Sequence, residues 1–330
     1  MHGVKRVRHT REALEAKKLR EQAKLTDYLA LTDDLLHRKQ ENDYSLDAFK
    51  LTTRLLQVNP EFYTIWNYRR QILIKGIFPE KQPREIYEYI NEELGNTMAA
   101  LKSHPKVYWI WNHRRWCLEN IPNNPDADGL EAVNKWKSAT WDREMMVVEK
   151  LLNADARNFH AWSYRRYILA NTTNPRPEVT EIAYTTSKIE ANFSNFSAWH
   201  HRSKVYSSLW TSGKLDEAKC KEDEFDLVQN AMYTDPNDQS VWIYHRWLVG
   251  TDSSAELLNR EVRAIEELLD QESNNKWCIE SLVHYKRMLL SKVDGDERER
   301  LSAECKQLLE RLQTLDPCRR ERYASMIKQL

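Results

Sequence analysis

The sequence predicts an all-α solenoid of stacked helical hairpins. Three observations carry that prediction: scarce glycine, a tryptophan-centred repeat, and an amphipathic helical stretch ahead of each copy. The 330 residues hold 7 glycines, where average usage of about 7% would give roughly 23. So few cannot supply the tight turns of a many-stranded sandwich or barrel, nor a Gly-rich phosphate loop.

Five segments resemble one another: NPEFYTIWNYRRQIL from Asn59, HPKVYWIWNHRRWCL from His104, DARNFHAWSYRRYIL from Asp155, NFSNFSAWHHRSKVY from Asn192 and DPNDQSVWIYHRWLV from Asp235. They align on Trp66, Trp111, Trp162, Trp199 and Trp242, and a worn sixth copy, NNKWCIESLVHY, surrounds Trp277. The signatures cover residues 59–74, 104–118, 155–169, 192–206, 235–249 and, degenerate, 274–291. Spacings of 45, 51, 37, 43 and 35 residues fall in the period range of α-solenoids. Proline stands six before tryptophan in three copies (Pro60, Pro105, Pro236). Arginine stands three after it in four (Arg69, Arg114, Arg165, Arg202), while Arg246 follows Trp242 by four.

Each signature reads as the second helix of a hairpin. Ahead of the first copy, Leu46, Phe49, Leu51, Leu55 and Leu56 approximate a helical apolar stripe. Asn59-Pro60 then ends that helix, because the residue before proline disfavours the α region. A second helix is predicted from about Tyr63 to Ile74, with Trp66 and Arg69 one turn apart on one face. The tryptophan wedges successive hairpins, and the arginine lays its methylenes on apolar surface while its guanidinium reaches a carbonyl or a carboxylate.

Residues 1–40 read as a basic N-terminal extension and helix, and 41–330 as the repeat array. From Thr10, TREALEAKKLREQAKL predicts a solvated helix with i, i+4 charge pairs. No apolar run approaches the roughly 18 residues that span a bilayer, and no secretory signal is expected. Five cysteines without a CxxC pair predict reduced thiols in a cytoplasmic protein. Fifty basic against fifty acidic residues argue against a nucleic-acid partner.

The Pro-x-x-(Tyr/Phe)-x-x-Trp-x-x-Arg unit resembles the repeat of protein prenyltransferase α subunits, over roughly residues 45–290. Met1-His2-Gly3, NFHAW (Asn158–Trp162), DPNDQSVWIYHRW (Asp235–Trp247) and NKWC (Asn275–Cys278) are most similar to the geranylgeranyltransferase type II, or Rab, α subunits in their compact fungal form. The resemblance implies a right-handed α-α superhelix wrapped around a β subunit that holds the catalytic zinc and the isoprenoid pocket. It further implies transfer from geranylgeranyl diphosphate to C-terminal cysteines of Rab GTPases presented by an escort protein. Independently of it, no Cys/His/Asp cluster in this chain has zinc-site spacing.

The same resemblance nominates site residues. Lys106 matches the lysine that reaches the diphosphate, and among the copies this one alone has a cation directly after its proline. Tyr108 matches a tyrosine lining the cleft, although Tyr63 and Phe159 hold the same slot and read as core. His160 matches a histidine facing the active site. His2 is expected to reach the zinc of the β subunit at its open position. Two other readings remain open on sequence: an α subunit shared by farnesyltransferase and geranylgeranyltransferase type I, acting on CaaX proteins, and a noncatalytic helical-repeat adaptor.

Overall fold

A computed structural model describes residues 10–124 and 134–330. Among them all regular structure is helical and no β-strand occurs. The chain divides into two compact units, Met1–Pro175 and Arg176–Leu330.

In the first unit α1 (Arg11–Gln40) starts at Thr10, whose side chain accepts the Ala13 N–H. Its first half is solvated as expected, with Arg11–Glu15 and Lys17–Glu21 pairs at 3.4 and 3.8 Å. The hairpins follow: α2 (Leu46–Val58) with α3 (Tyr63–Ile72), α4 (Pro83–Ser103) with α5 (Tyr108–Glu119), and α6 (Lys135–Ala154) with α7 (Phe159–Asn171). Phe49, Leu55 and Leu56 form the buried stripe of α2, but Leu46 in its first turn is exposed. Helix α3 continues through a π-turn, Leu73–Ile77. Gly76 is required there, since a Cβ would meet the Tyr44 carbonyl oxygen at 2.0 Å.

The second unit pairs α8 (Thr180–Ala191) with α9 (Phe196–Thr211), α10 (Glu217–Thr234) with α11 (Gln239–Val249), and α12 (Ala255–Gln271) with α13 (Lys276–Leu290). Helices α14 (Gly295–Leu315) and α15 (Arg320–Ile327) follow. They cover Ile279 and Val283 with Leu309, Leu312 and Tyr323. Asn195, Asp238 and Asn275 cap α9, α11 and α13 by accepting N–H groups of the first turn, which satisfies donors that have no partner inside the helix.

The signature residues do more than wedge. In all five copies the buried tryptophan donates its indole N–H to the carbonyl six residues earlier. The acceptors are Pro60, Pro105, Ala156, Phe193 and Pro236, at 2.6 to 3.0 Å. Each ring therefore fixes the turn that feeds its own helix, beyond the about 3–5 kcal/mol that a buried tryptophan side chain contributes by packing.

The arginines build a ladder between hairpins. Arg69 forks onto Glu93 with both bonds at 2.6 Å, Arg114 onto Glu144 at 2.6 and 2.7 Å, and Arg202 onto Glu224 at 2.7 and 2.5 Å. Arg69 also lies 3.8 Å from the Phe49 ring centroid, so its stem and plane pack as expected. The residue two after the next tryptophan closes each link: His113 on Glu93 at 2.8 Å, Tyr164 on Glu144 at 2.6 Å, and Tyr244 on Glu224. The fifth copy differs from the expectation that Arg246 plays this part. There His245 takes the place three after the tryptophan and bonds Glu261 at 2.8 Å.

One link predicts acid sensitivity. Burial alone would raise the Glu93 pKa, but hydrogen bonds from Arg69 and His113 outweigh it and hold the carboxylate well below its usual range. Burial pushes His113 below its ordinary 6.5 despite Glu93. The neutral ring then donates from Nε2 to Glu93 and accepts Arg70 Nε–H at Nδ1, 3.2 Å away. Both shifts mean that the folded chain binds fewer protons than the unfolded one, so stability rises with pH. It is full above the unfolded histidine value of 6.5, declines as pH falls through it, and declines further below the unfolded glutamate value of 4.5. The urea midpoint of the chain is expected to drop between about pH 7.5 and about pH 5; a flat midpoint there would contradict the link.

Candidate functional site

In the first unit the turns entering α5 and α7 lie together. Asn158 joins them: its buried side chain accepts the His160 and Ala161 N–H groups at 3.0 and 3.2 Å, and its amide donates to the Pro105 carbonyl at 3.1 Å. Lys106, next in that turn, is exposed and makes no ion pair with the described residues. Tyr108 opens α5, and its ring meets the His160 ring edge-on at a centroid distance of 4.2 Å. His160 is buried between Tyr108, Phe159 and Trp111, and its Nε2 makes no hydrogen bond. Burial lowers the His160 pKa, against a bond to the Lys106 backbone that raises it, so the ring is neutral at pH 7. A neutral imidazole with a free nitrogen can donate or accept one hydrogen bond, and the ammonium beside it can neutralise an anion. Lys106, Tyr108 and His160 are thus neighbours in space; His2 lies outside the described residues.

The slot of Tyr108 is not a core slot. Tyr63, Tyr108 and Phe159 are 53%, 57% and 54% exposed, each in the first turn of the second helix of its hairpin. The Tyr63 ring meets Trp109 at a centroid distance of 5.2 Å and the Tyr108 ring meets Phe159 at 6.1 Å, both tilted rather than stacked. Aromatics in that row cover one another only in part, and a row of exposed large rings marks a surface that binds another molecule. In the second unit, Phe196 occupies the same slot and is also exposed, whereas the fifth copy has the exposed Gln239 there.

Several residues of this face escaped the sequence reading. Asn158 is one, though its position as an N-cap was visible. Arg157 is another: it fills the Lys106 slot in the third copy, where Ala156 replaces the proline, and it is exposed. Seven residues after the exposed aromatics, hence on the same helix face, stand Arg70, Arg115 and Arg166. Arg70 bonds His113, Arg115 bonds Ser163 at 3.3 Å, and none of the three has a carboxylate partner among the described residues. Among the described residues no group of three or more His, Cys, Asp and Glu side chains could hold a metal ion. No helix among them is long and apolar enough to cross a membrane.

Comparison with known proteins decides the family. The protein prenyltransferase alpha subunit repeat matches residues 45–75, 90–121, 141–172, 179–209 and 221–252. The geranylgeranyl transferase type-2 subunit alpha of Schizosaccharomyces pombe is 38% identical over 99% of this chain and 97% of its own length. That of Saccharomyces cerevisiae is 36% identical over 100% of this chain and 99% of its own length. The chain belongs to the geranylgeranyl transferase type-2 α subunits. The bovine member is 38% identical over 76% of this chain and 42% of its own length. Within the family repeat, every matched segment ends in a helix carrying the tryptophan–carbonyl bond. The sixth copy around Trp277 lies outside the matched segments.

Proposed function

We propose that this chain is the α half of a heterodimer that transfers geranylgeranyl from its diphosphate to C-terminal cysteines of Rab GTPases, presented by an escort protein in the cytoplasm. The observation that carries the reading is the exposed row of Tyr63, Tyr108 and Phe159 beside an unpaired Lys106. Such a row fits burial against a β subunit, with the lysine turned to a site shared by the two chains. Zinc, in this reading, belongs to the partner.

The chemistry needs a cation on the α side. As the cysteine sulfur bonds C1 of the allylic chain, the C1–oxygen bond breaks and negative charge gathers on diphosphate. A preorganised ammonium is worth most where that charge develops. Lys106 supplies it from a turn held by Asn158. Tyr108 offers a phenol donor and an apolar ring to the same substrate, and neutral His160 backs that ring.

The test is co-expression with a type-2 β subunit, followed by assay of geranylgeranyl transfer to a Rab–escort complex and to a CaaX peptide. A one-to-one complex that modifies Rab is expected. Transfer to the CaaX peptide alone would favour the shared farnesyltransferase-type α subunit. Failure of any β subunit to co-purify would favour an adaptor.

A further inference from the structure

The fifth copy departs from the other four, and the departure frees an arginine. With His245 bonded to Glu261, Arg246 lies one residue beyond the ladder position on α11. The sixth copy carries Glu280 where the first four copies carry arginine, three after Trp277. Glu280 is 8% exposed and stands 3.9 Å from Arg246, 3.5 Å from Arg319 and 3.6 Å from Arg322. Arg319 also leans on Asp316 at 3.5 Å, and Arg287 meets only the neutral Gln329 at 3.4 Å. Three guanidinium groups therefore share two carboxylates while Arg287 meets neither, and none forms the tight fork seen at Glu224.

Arg246 shows the shortfall most directly. Its Nε and Nη2 are buried and have no hydrogen-bond partner. Buried donors are nearly always bonded, so two on one guanidinium mark a place where an acceptor is missing.

These arginines line two adjoining cavities in the second unit. One, of about 240 Å³, lies among Arg246, Glu280, Arg287, Arg322, Met288 and Met326. The other, of about 210 Å³, adds Trp242, Ile243, Trp277 and Arg319, and it shares Arg246, Glu280 and Arg322 with the first. The geometry points to this two-lobed cleft as the docking site of an acidic segment of a partner polypeptide. Its Asp or Glu carboxylates bond Arg246, Arg287 and Arg322, and its aliphatic carbons lie on Trp277, Met288 and Met326. A bare oxyanion would use the charges but leave those apolar walls uncovered. An extended peptide, advancing about 3.3 Å per residue with side chains alternating, can fill both lobes. Glu280 acts as a built-in competitor that holds the arginines in place until the segment arrives. All residues of the cleft lie in the second unit and none carries the transferase reading, so this inference stands or falls separately from it.

The experiment is fluorescence anisotropy of a fluorescein-labelled octaglutamate peptide with the full chain at low salt, with octalysine as control. Octaglutamate is expected to bind and octalysine not. Arg287→Gln and Arg322→Gln should each weaken binding about fivefold. Glu280→Gln should tighten it by a similar factor, a change of sign that a merely structural cluster would not produce. Thermal melts identify any variant that fails to fold, and the exposed Arg322 and half-buried Arg287 leave at least one usable site. Binding that ignores all three substitutions overturns the proposal. So does displacement of the peptide by an equal concentration of inorganic phosphate, which would make the cleft a small-oxyanion site.

Discussion

Glu144→Ala is expected to destabilise the chain by about 3–5 kcal/mol, the cost of breaking a buried ion pair from one side. Glu144 is 1% exposed and accepts two bonds from Arg114 and one from Tyr164. Removing it leaves the Arg114 guanidinium, 2% exposed, with only the Leu94 carbonyl and Thr97 hydroxyl as partners, at 2.7 and 2.9 Å. It also strands the buried Tyr164 hydroxyl. The loss comes from an uncompensated buried charge rather than from the net worth of the pair. Replacing both partners by apolar residues, Arg114→Met with Glu144→Leu, is therefore expected to recover most of it. As a contrast, Glu15→Ala removes one side of an ion pair whose members are 93% and 67% exposed. Such a surface pair is worth at most about 1 kcal/mol, and usually less. Urea midpoints of the four chains check the ranking. An unchanged midpoint for Glu144→Ala would mean that packing of the tryptophans alone holds the hairpins together.

The tryptophans and arginines were legible because they recur at fixed places in the strongest part of each repeat. Their partners were harder to see. Glu93, Glu144 and Glu224 each stand eighteen residues before a signature tryptophan, a regularity present in the sequence. They lie on the first helices, whose apolar stripes vary and carry many other acids, so the spacing was lost among solvated charges. The first copy has Ala48 at that place, because no hairpin of the array precedes it to supply an arginine.

The exposed rings show a different limit. Tyr63, Tyr108 and Phe159 hold an aromatic slot at helical spacing, and periodicity alone assigns such a slot to the core. Periodicity cannot separate a side chain buried within its own chain from one kept for a partner, because both faces are apolar. The spatial meeting of Tyr108 with His160, across helices 51 residues apart in their tryptophans, needed the fold as well. The family resemblance named those residues, whereas the Asn158 bridge that brings their turns together came from the structure.

The central claim is that this chain acts on the reaction itself and is more than a scaffold for its partner. Lys106→Ala carries the largest expected effect on rate. Lys106 is exposed and unpaired among the described residues, so its loss should leave the melting temperature and heterodimer assembly unchanged. In the proposed role the charge Lys106 meets grows as diphosphate departs, so the loss should fall on the transfer step rather than on Rab–escort binding. Lys106→Arg keeps the charge with a different shape and should restore part of the rate. The decisive measurement is the single-turnover rate of geranylgeranyl transfer to the Rab–escort complex, with the diphosphate saturating and the heterodimer in excess. The account predicts a fall of about 10²–10³ for Lys106→Ala at unchanged substrate affinity. A wild-type single-turnover rate in that variant would contradict it.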